Sequence, residues 1–138
     1  MLSVHLGTLR IFLHILAATV WVGGQLSLAG LVPGLRTLSA DAPRIVARRF
    51  QLIAWPSFAL LVGTGLWNLA VVAKYHHGDN AWWVTLFVKL VIVAASGISA
   101  AVHAGVRNRA ARAVFGALSG LTALAAVFFG VMLRGSIV

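Results

Sequence analysis

The sequence predicts an all-α integral membrane protein, a four-helix bundle with both termini on the outer side of the membrane. Of the 138 residues, 61% are hydrophobic and only 9% are charged, and the mean hydropathy is +0.99. A soluble domain averages roughly 25% charged residues. No cysteine is present, which excludes disulfides and thiolate metal sites. The N-terminal stretch MLSVHLGTLR lacks the basic region and small-residue cleavage site of a signal peptide.

Four apolar stretches have the length of about 20 residues that crosses the hydrocarbon core. They cover approximately residues 8–32, 52–73, 82–106 and 114–133. The first is expected to end at Pro33 and Gly34, and Pro56 lies near the start of the second, where a helix tolerates proline best. The predicted connections are a basic loop, a short polar loop and a second basic loop, at 34–51, 74–81 and 107–113. No linker or repeat interrupts residues 1–138, which predicts a single domain.

The orientation prediction depends on where the positive charges lie. The two basic loops carry seven arginines: Arg36, Arg44, Arg48, Arg49, Arg107, Arg109 and Arg112. The side opposite these loops carries only three basic residues, Arg10, Lys74 and Arg134. The positive-inside rule therefore predicts that these loops face the cytoplasm of a prokaryotic cell, in its cytoplasmic membrane. Basic loops against anionic headgroups also explain the net charge of +9, so a nucleic-acid partner is not expected.

A polar stripe follows the third span. Its positions advance by four and three residues, which keeps them on one helix face: Thr85, Lys89, Ile92, Ser96, Ser99 and His103. Serine and threonine on such a face are explained by helix packing alone. Lys89 and His103 are different, because an ionisable group inside a span needs a partner.

The first and second spans carry matching stripes. The stripe on the first span consists of His14, Ala18, Trp21 and Gln25, and the neighbouring Gly24 allows a close helix approach. On the second they are Ser57, Thr64 and Asn68, with Trp67 beside them. The fourth span has Gly116 and Gly120 at GxxxG spacing, which indicates packing, self-association into a homo-oligomer, or docking onto a larger membrane complex.

Depth in the membrane decides which of these side chains can meet. At about 1.5 Å per residue, His14 and Lys89 lie about 9 and 10 Å inside the outer ends of their spans, with Asn68 at a similar level. His103 lies near the cytoplasmic end, roughly 20 Å from His14 along the membrane normal. Two groups that bind one haem must lie at nearly the same level, so the predicted pair is His14 with Lys89.

Three segments resemble the copper-resistance D membrane domain family. LHILAATVWVGGQL is similar to its first-helix pattern through His14, Trp21, Gly23 and Gly24. RRFQLIAWPSFALLVGTGLW resembles its second segment through Arg49, Phe50, Thr64 and Gly65, and FVKLVIVAA resembles its third through Lys89. The same order of histidine and lysine occurs in the related HemJ-type protoporphyrinogen oxidases, four-helix proteins that bind haem b. Over residues 10–107 the resemblance thus implies an intramembrane haem b site.

The chemistry of the side chains favours haem and leaves copper as the alternative. His14 would be an axial iron ligand, Trp21 and the adjacent glycines would shape a flat apolar slot, and Lys89 would neutralise or ligate the same group. Thr64 and Asn68 are the candidates to accept the second imidazole N–H. Cu(I) prefers soft ligands, but the methionines are only Met1 and Met132. Cu(II) accepts histidine, and three histidines and one carboxylate could gather on the outer face: His5, His76, His77 and Asp79.

Each histidine also has a purely structural interpretation. His14 can be a neutral side chain bonded to Thr64 or to a backbone carbonyl, His76 and His77 can be solvated, and His103 can reach water at the basic surface or ligate a second haem or metal. Three functions stay open at this point: a haem b redox protein acting on a tetrapyrrole or quinone, a copper transport or tolerance protein, and an accessory subunit of a larger complex. An enzymatic activity, if present, would be that of a membrane oxidoreductase.

Overall fold

The computed structural model describes residues 5–135, and within this range it is helical with no strand. In the described part of the chain, four helical segments are long and apolar enough to cross a membrane: Leu6–Leu38, Ala42–Tyr75, Asn80–Gly105 and Arg109–Gly135. The prediction of an all-α fold with four spans is confirmed at this level. The side of the membrane on which the termini lie stays a prediction.

The first segment consists of α1 (Leu6–Ala18), a π-helical turn (Thr19–Gly23) and α2 (Gly24–Leu38). Pro33 lies inside α2, so the helix does not end at Pro33 and Gly34 as predicted. Proline removes one N–H from the helix and kinks it without necessarily ending it. The helix instead ends at Leu38, where Ser39 takes an extended conformation.

The first connection is much shorter than the predicted loop at 34–51. It consists of Ser39 to Asp41, after which α3 (Ala42–Val72) begins with Pro43 in its first turn. Arg44, Arg48 and Arg49 are therefore helical, because a helix satisfies its own backbone hydrogen bonds and can continue beyond the apolar stretch.

The other two connections cap the N-terminal ends of α4 (Asn80–Gly105) and α5 (Arg109–Gly135). A short 3₁₀ turn, Ala73–Tyr75, follows α3. The carboxylate of Asp79 then accepts a hydrogen bond of 3.0 Å from the Trp82 amide and caps α4. At α5, the side-chain oxygen of Asn108 accepts from the amides of Ala110 and Ala111. Both arrangements satisfy N–H groups that a helix leaves unpaired in its first turn.

The chain divides into two compact units, Met1–Lys74 and Tyr75–Val138. In the first unit, α1, the π turn and α2 pack against α3. In the second, α4 packs along α5. Large apolar side chains are widely exposed in both units, among them Leu6, Phe12, Leu66, Phe87, Phe128 and Val131. Exposed apolar surface on this scale is what a lipid environment covers, as expected of a multi-pass membrane protein.

Candidate cofactor-binding site

His14 and Thr64 are hydrogen-bonded to each other across the helix pair of the first unit. Nδ1 of His14 lies 2.9 Å from Oγ1 of Thr64, and Thr64 is only 4% exposed. The threonine hydroxyl has one proton, which it donates to the backbone carbonyl of Leu60 at 2.6 Å, with the Leu61 carbonyl at 3.2 Å. With its proton donated to Leu60, the hydroxyl can only accept from His14, an arrangement that favours the tautomer protonated on Nδ1, with the lone pair of a neutral ring on Nε2.

Gly65 lets the imidazole approach α3 closely. A Cβ atom added at Gly65 would lie 3.3 Å from Cε1 of His14, tighter than an ordinary van der Waals contact. Thr64 and Gly65 thus set the orientation and the depth of the ring relative to α3. The sequence named both residues, and the structure brings both to His14.

Trp21 belongs to an aromatic cluster with α3. Its ring centroid lies 4.4 Å from that of Phe58 and 5.6 Å from that of Trp55. Gln25 donates to the Trp21 carbonyl at 3.0 Å, beside the π turn. A π turn widens the helix locally and often occurs near functional sites. Trp21 is therefore a packing contact of α3 whose backbone is held by Gln25.

Gly24 and Phe50 form a further contact between the first helical segment and α3. A Cβ atom at Gly24 would overlap the far end of the Phe50 ring, whereas one at Gly23 would meet nothing within 4 Å. Gly24, not Gly23, therefore allows the close approach of α2 to α3. The order of the contacts, His14 with Thr64 and Gly24 with Phe50, makes the two helical segments antiparallel.

Arg10 is the polar residue that the sequence analysis missed. It is 9% exposed, and among the described residues its Nε has no hydrogen-bond partner. It precedes His14 by four residues in α1 and therefore shares its face, together with Ala17, which is 1% exposed. Its spacing from His14 was the available signal, but Arg10 was counted only among the charges of the outer side. In the antiparallel register set by His14 and Thr64, position 10 lies level with Asn68.

Lys89 lies in the second unit, where its amino group faces α5. A Cβ atom at Gly130 would lie 3.2 Å from Nζ, so the glycine leaves room for the lysine head group. His14 belongs to the other unit, and its pairing with Lys89 stays a prediction.

The remaining polar stripe of α4 is also directed at α5. Ser96 and Ser119 exchange hydrogen bonds of 3.1 Å, each hydroxyl donating to the other residue's carbonyl. His103 donates from Nδ1 to the Arg112 carbonyl at 2.7 Å, and its ring occupies the space that a Cβ at Gly116 would need. The inward orientation predicted for Ser96 and Ser99 agrees with their burial. Gly116 has a partner within the chain, which leaves Gly120 as the open member of the GxxxG pair.

The His76 and His77 loop is organised around Trp82. The His76 ring stacks on Trp82 at 4.2 Å with an interplanar angle of 3°, and its Nδ1 lies 3.7 Å from the Asp79 carboxylate. The Trp83 indole donates to the His76 carbonyl at 3.0 Å. His77 is exposed. Asp79 serves as the cap of α4 as well, so the loop has a structural role beyond any ligand role.

Across residues 5–135, no group of three or more His, Cys, Asp or Glu side chains is placed to hold a metal ion. Comparisons with protein-family models, with curated proteins and with solved structures find no match to this chain.

Proposed function

We propose that this protein is a membrane haem b protein in which His14 would hold the iron, with a redox role linked to a tetrapyrrole or quinone. One observation carries the proposal: the hydrogen bond from His14 to Thr64, which is itself anchored on the Leu60 carbonyl. A metal-ligating histidine characteristically donates its other ring N–H to an acceptor that fixes the tautomer and the ring orientation. In the Nδ1-protonated form, Nε2 would be the nitrogen that holds the iron.

The residues around His14 fit this group. Thr64 holds the proton on Nδ1, Gly65 admits the ring against α3, and the neighbouring surfaces are apolar. When bound, haem b supplies one-electron chemistry at its iron. The chain's own contribution would be to orient the ligating nitrogen.

Lys89, Trp21 and Asn68 are proposed to complete the site. Lys89 would neutralise or ligate the same group as His14, while Trp21 would limit the site on its apolar side. Asn68 lies one helical turn from Thr64 and would offer an amide to a polar substituent. The proposed location is a prokaryotic cytoplasmic membrane, with the basic connections inside the cell.

Copper binding through His14, His103, His76 and His77 would draw on the same His14–Thr64 hydrogen bond, but two of the further ligands that it needs are engaged elsewhere. His103 and His76 have structural partners in the Arg112 carbonyl and in Trp82. Haem therefore accounts for more of the described geometry than copper does.

The proposal is tested on protein purified in detergent without a histidine tag. The expected wild-type result is a Soret band and iron in stoichiometric amount, with His14→Ala losing both. Lys89→Met should weaken binding or shift the spectrum, and His103→Ala should leave the spectrum unchanged. Circular dichroism verifies that each variant is folded.

Two results would overturn the proposal. One is that His14→Ala and Lys89→Met both keep the wild-type spectrum and metal content. The other is that His103→Ala removes the cofactor while His14→Ala retains it. Copper without iron in the purified wild-type protein would favour the copper alternative.

A further inference from the structure

Arg10 carries a charge that the described part of the chain does not answer. Its side chain is 9% exposed, it lies within an apolar helix, and its Nε has no hydrogen-bond partner among the described residues. A guanidinium stays charged at any physiological pH and presents five N–H donors. Burial of such a group is unfavourable unless an anion or several acceptors meet it.

The acidic residues of the sequence have partners of their own. The sequence contains only two, Asp41 and Asp79. Asp41 follows the far end of α2, about 40 Å along the helix from Arg10, and it pairs with Arg44 at 3.7 Å. The Asp79 carboxylate accepts from the Trp82 amide and contacts His76. Among the described residues, no carboxylate is therefore left without a partner, which favours an anion from outside the chain.

The position of Arg10 indicates which anion this is. Arg10 precedes His14 by one helical turn on the same face, a separation of about 6 Å along the axis. A ligand held at Nε2 of His14 therefore lies within reach of the long arginine side chain when it carries a flexible acidic arm. Haem b carries two propionate arms, and a guanidinium binds a carboxylate with two parallel N–H···O bonds.

We propose that Arg10 binds a propionate carboxylate of the haem that His14 ligates, an assignment that rests on the function proposed above. Arg10 then serves as the second anchor of the cofactor, at the N-terminal end of α1. Haem dimethyl ester, which has the same iron and ring but no carboxylate, separates this anchor from the axial ligand.

The experiment titrates haem and haem dimethyl ester into apo-protein from haem-deficient cells and follows the Soret absorbance. Wild-type protein should bind the ester about ten- to hundredfold more weakly than haem, the ratio expected for loss of a charge-assisted hydrogen bond. Arg10→Gln should bind haem as weakly as the wild type binds the ester, with unchanged ester affinity. Arg10→Lys should recover part of the preference for haem. Arg36→Gln, which removes an exposed arginine of the same unit, is the matched control and should behave as wild type.

Each other outcome is decisive. Equal wild-type affinities for haem and ester overturn the role of Arg10, and His14-dependent binding would then leave the proposed function standing. A similar loss of both ligands in Arg10→Gln, restored for both in Arg10→Lys, makes Arg10 a structural residue and also overturns the proposal. If the wild-type protein binds neither ligand, the proposed function and the anchor fail together.

Discussion

Ser96 and Ser119 hold α4 and α5 together through two reciprocal hydrogen bonds of 3.1 Å. Each side chain is 2% exposed, so the small residues bring the two backbones close and the hydroxyls cross the interface in both directions. Close packing and interhelical hydrogen bonds are the interactions that hold helices together in lipid, where no hydrophobic driving force acts between them.

Replacing either serine by alanine should destabilise the protein modestly. We expect each single substitution to lower the free energy of unfolding by about 0.5–1.5 kcal/mol, the range of buried interhelical hydrogen bonds in membranes. Because the two bonds share the same close approach, their effects should be coupled. The stability lost by the double variant should differ from the sum of the two single losses by about 0.5 kcal/mol or more. Reversible unfolding in mixed micelles measures all four proteins of the cycle. Strict additivity would mean that the two hydroxyls act independently.

Thr64→Val tests whether threonine controls the state of His14. Valine keeps the shape but removes the acceptor, so the imidazole should lose its preference for the Nδ1-protonated tautomer. Haem affinity should fall by about ten- to a hundredfold, as for other partners of metal-ligating histidines. Nitrogen-15 NMR of the apo-protein reports the tautomer independently of haem.

The control for this variant is Thr122→Val. Thr122 donates to the Leu118 carbonyl at 2.7 Å, as Thr64 does to Leu60, but it lies in α5 and has no histidine partner in the described structure. It should therefore leave both the tautomer and the haem affinity unchanged. An unaltered tautomer in Thr64→Val would show that another contact orients His14.

The helical period predicted which faces are polar, because side-chain direction in a helix depends only on spacing. Lys89, Ser96 and His103 all contact α5, as the single stripe implied. Their partners were not predictable, since backbone carbonyls and glycines have no sequence signature of their own. The predicted stripe contained Ala18, whereas Ala17 is the more deeply buried alanine. Spacing alone could not choose between them, because positions 14, 17 and 21 fit the helical period as well as 14, 18 and 21 do.

Charge was the less reliable guide. The positive-inside count used Arg10 only as a charge of the outer side, although helix α1 includes it and buries it. The same reasoning placed Arg44, Arg48 and Arg49 in a loop, whereas α3 starts at Ala42. Long basic side chains let a helix continue past the apolar stretch, so their positions mark the membrane surface and not the helix end.

Membrane orientation can be measured directly, because the chain has no cysteine. We expect Ser39→Cys, in the basic connection, to be protected from a membrane-impermeant maleimide in intact spheroplasts. His77→Cys, in the polar loop, should be labelled. Both positions are exposed, so labelling after permeabilisation serves as the control for each. The reverse pattern would place the basic connections outside and contradict the positive-inside assignment.

Gly116 and Gly120 distinguish packing within the chain from self-association. A Cβ at Gly116 would lie 2.8 Å from Nδ1 of His103, whereas one at Gly120 would have no atom of the described residues within 4 Å. Gly116→Ala should therefore lower the free energy of unfolding by about 1–3 kcal/mol, the usual cost of overpacking. Gly120→Ala should be neutral or stabilising by up to about 1 kcal/mol, because alanine favours a helix over glycine.

Unfolding in detergent and cross-linking in native membranes measure the two effects separately. The structure predicts that Gly116→Ala loses stability at every protein concentration, since the clash lies within one chain. The added methyl group at Gly120 would instead weaken a helix–helix contact between copies, if α5 makes one. Loss of a cross-linked dimer in Gly120→Ala, with unchanged stability of the monomer, would establish α5 as a self-association surface. Equal destabilisation by both substitutions would show that Gly120 is also covered by a partner.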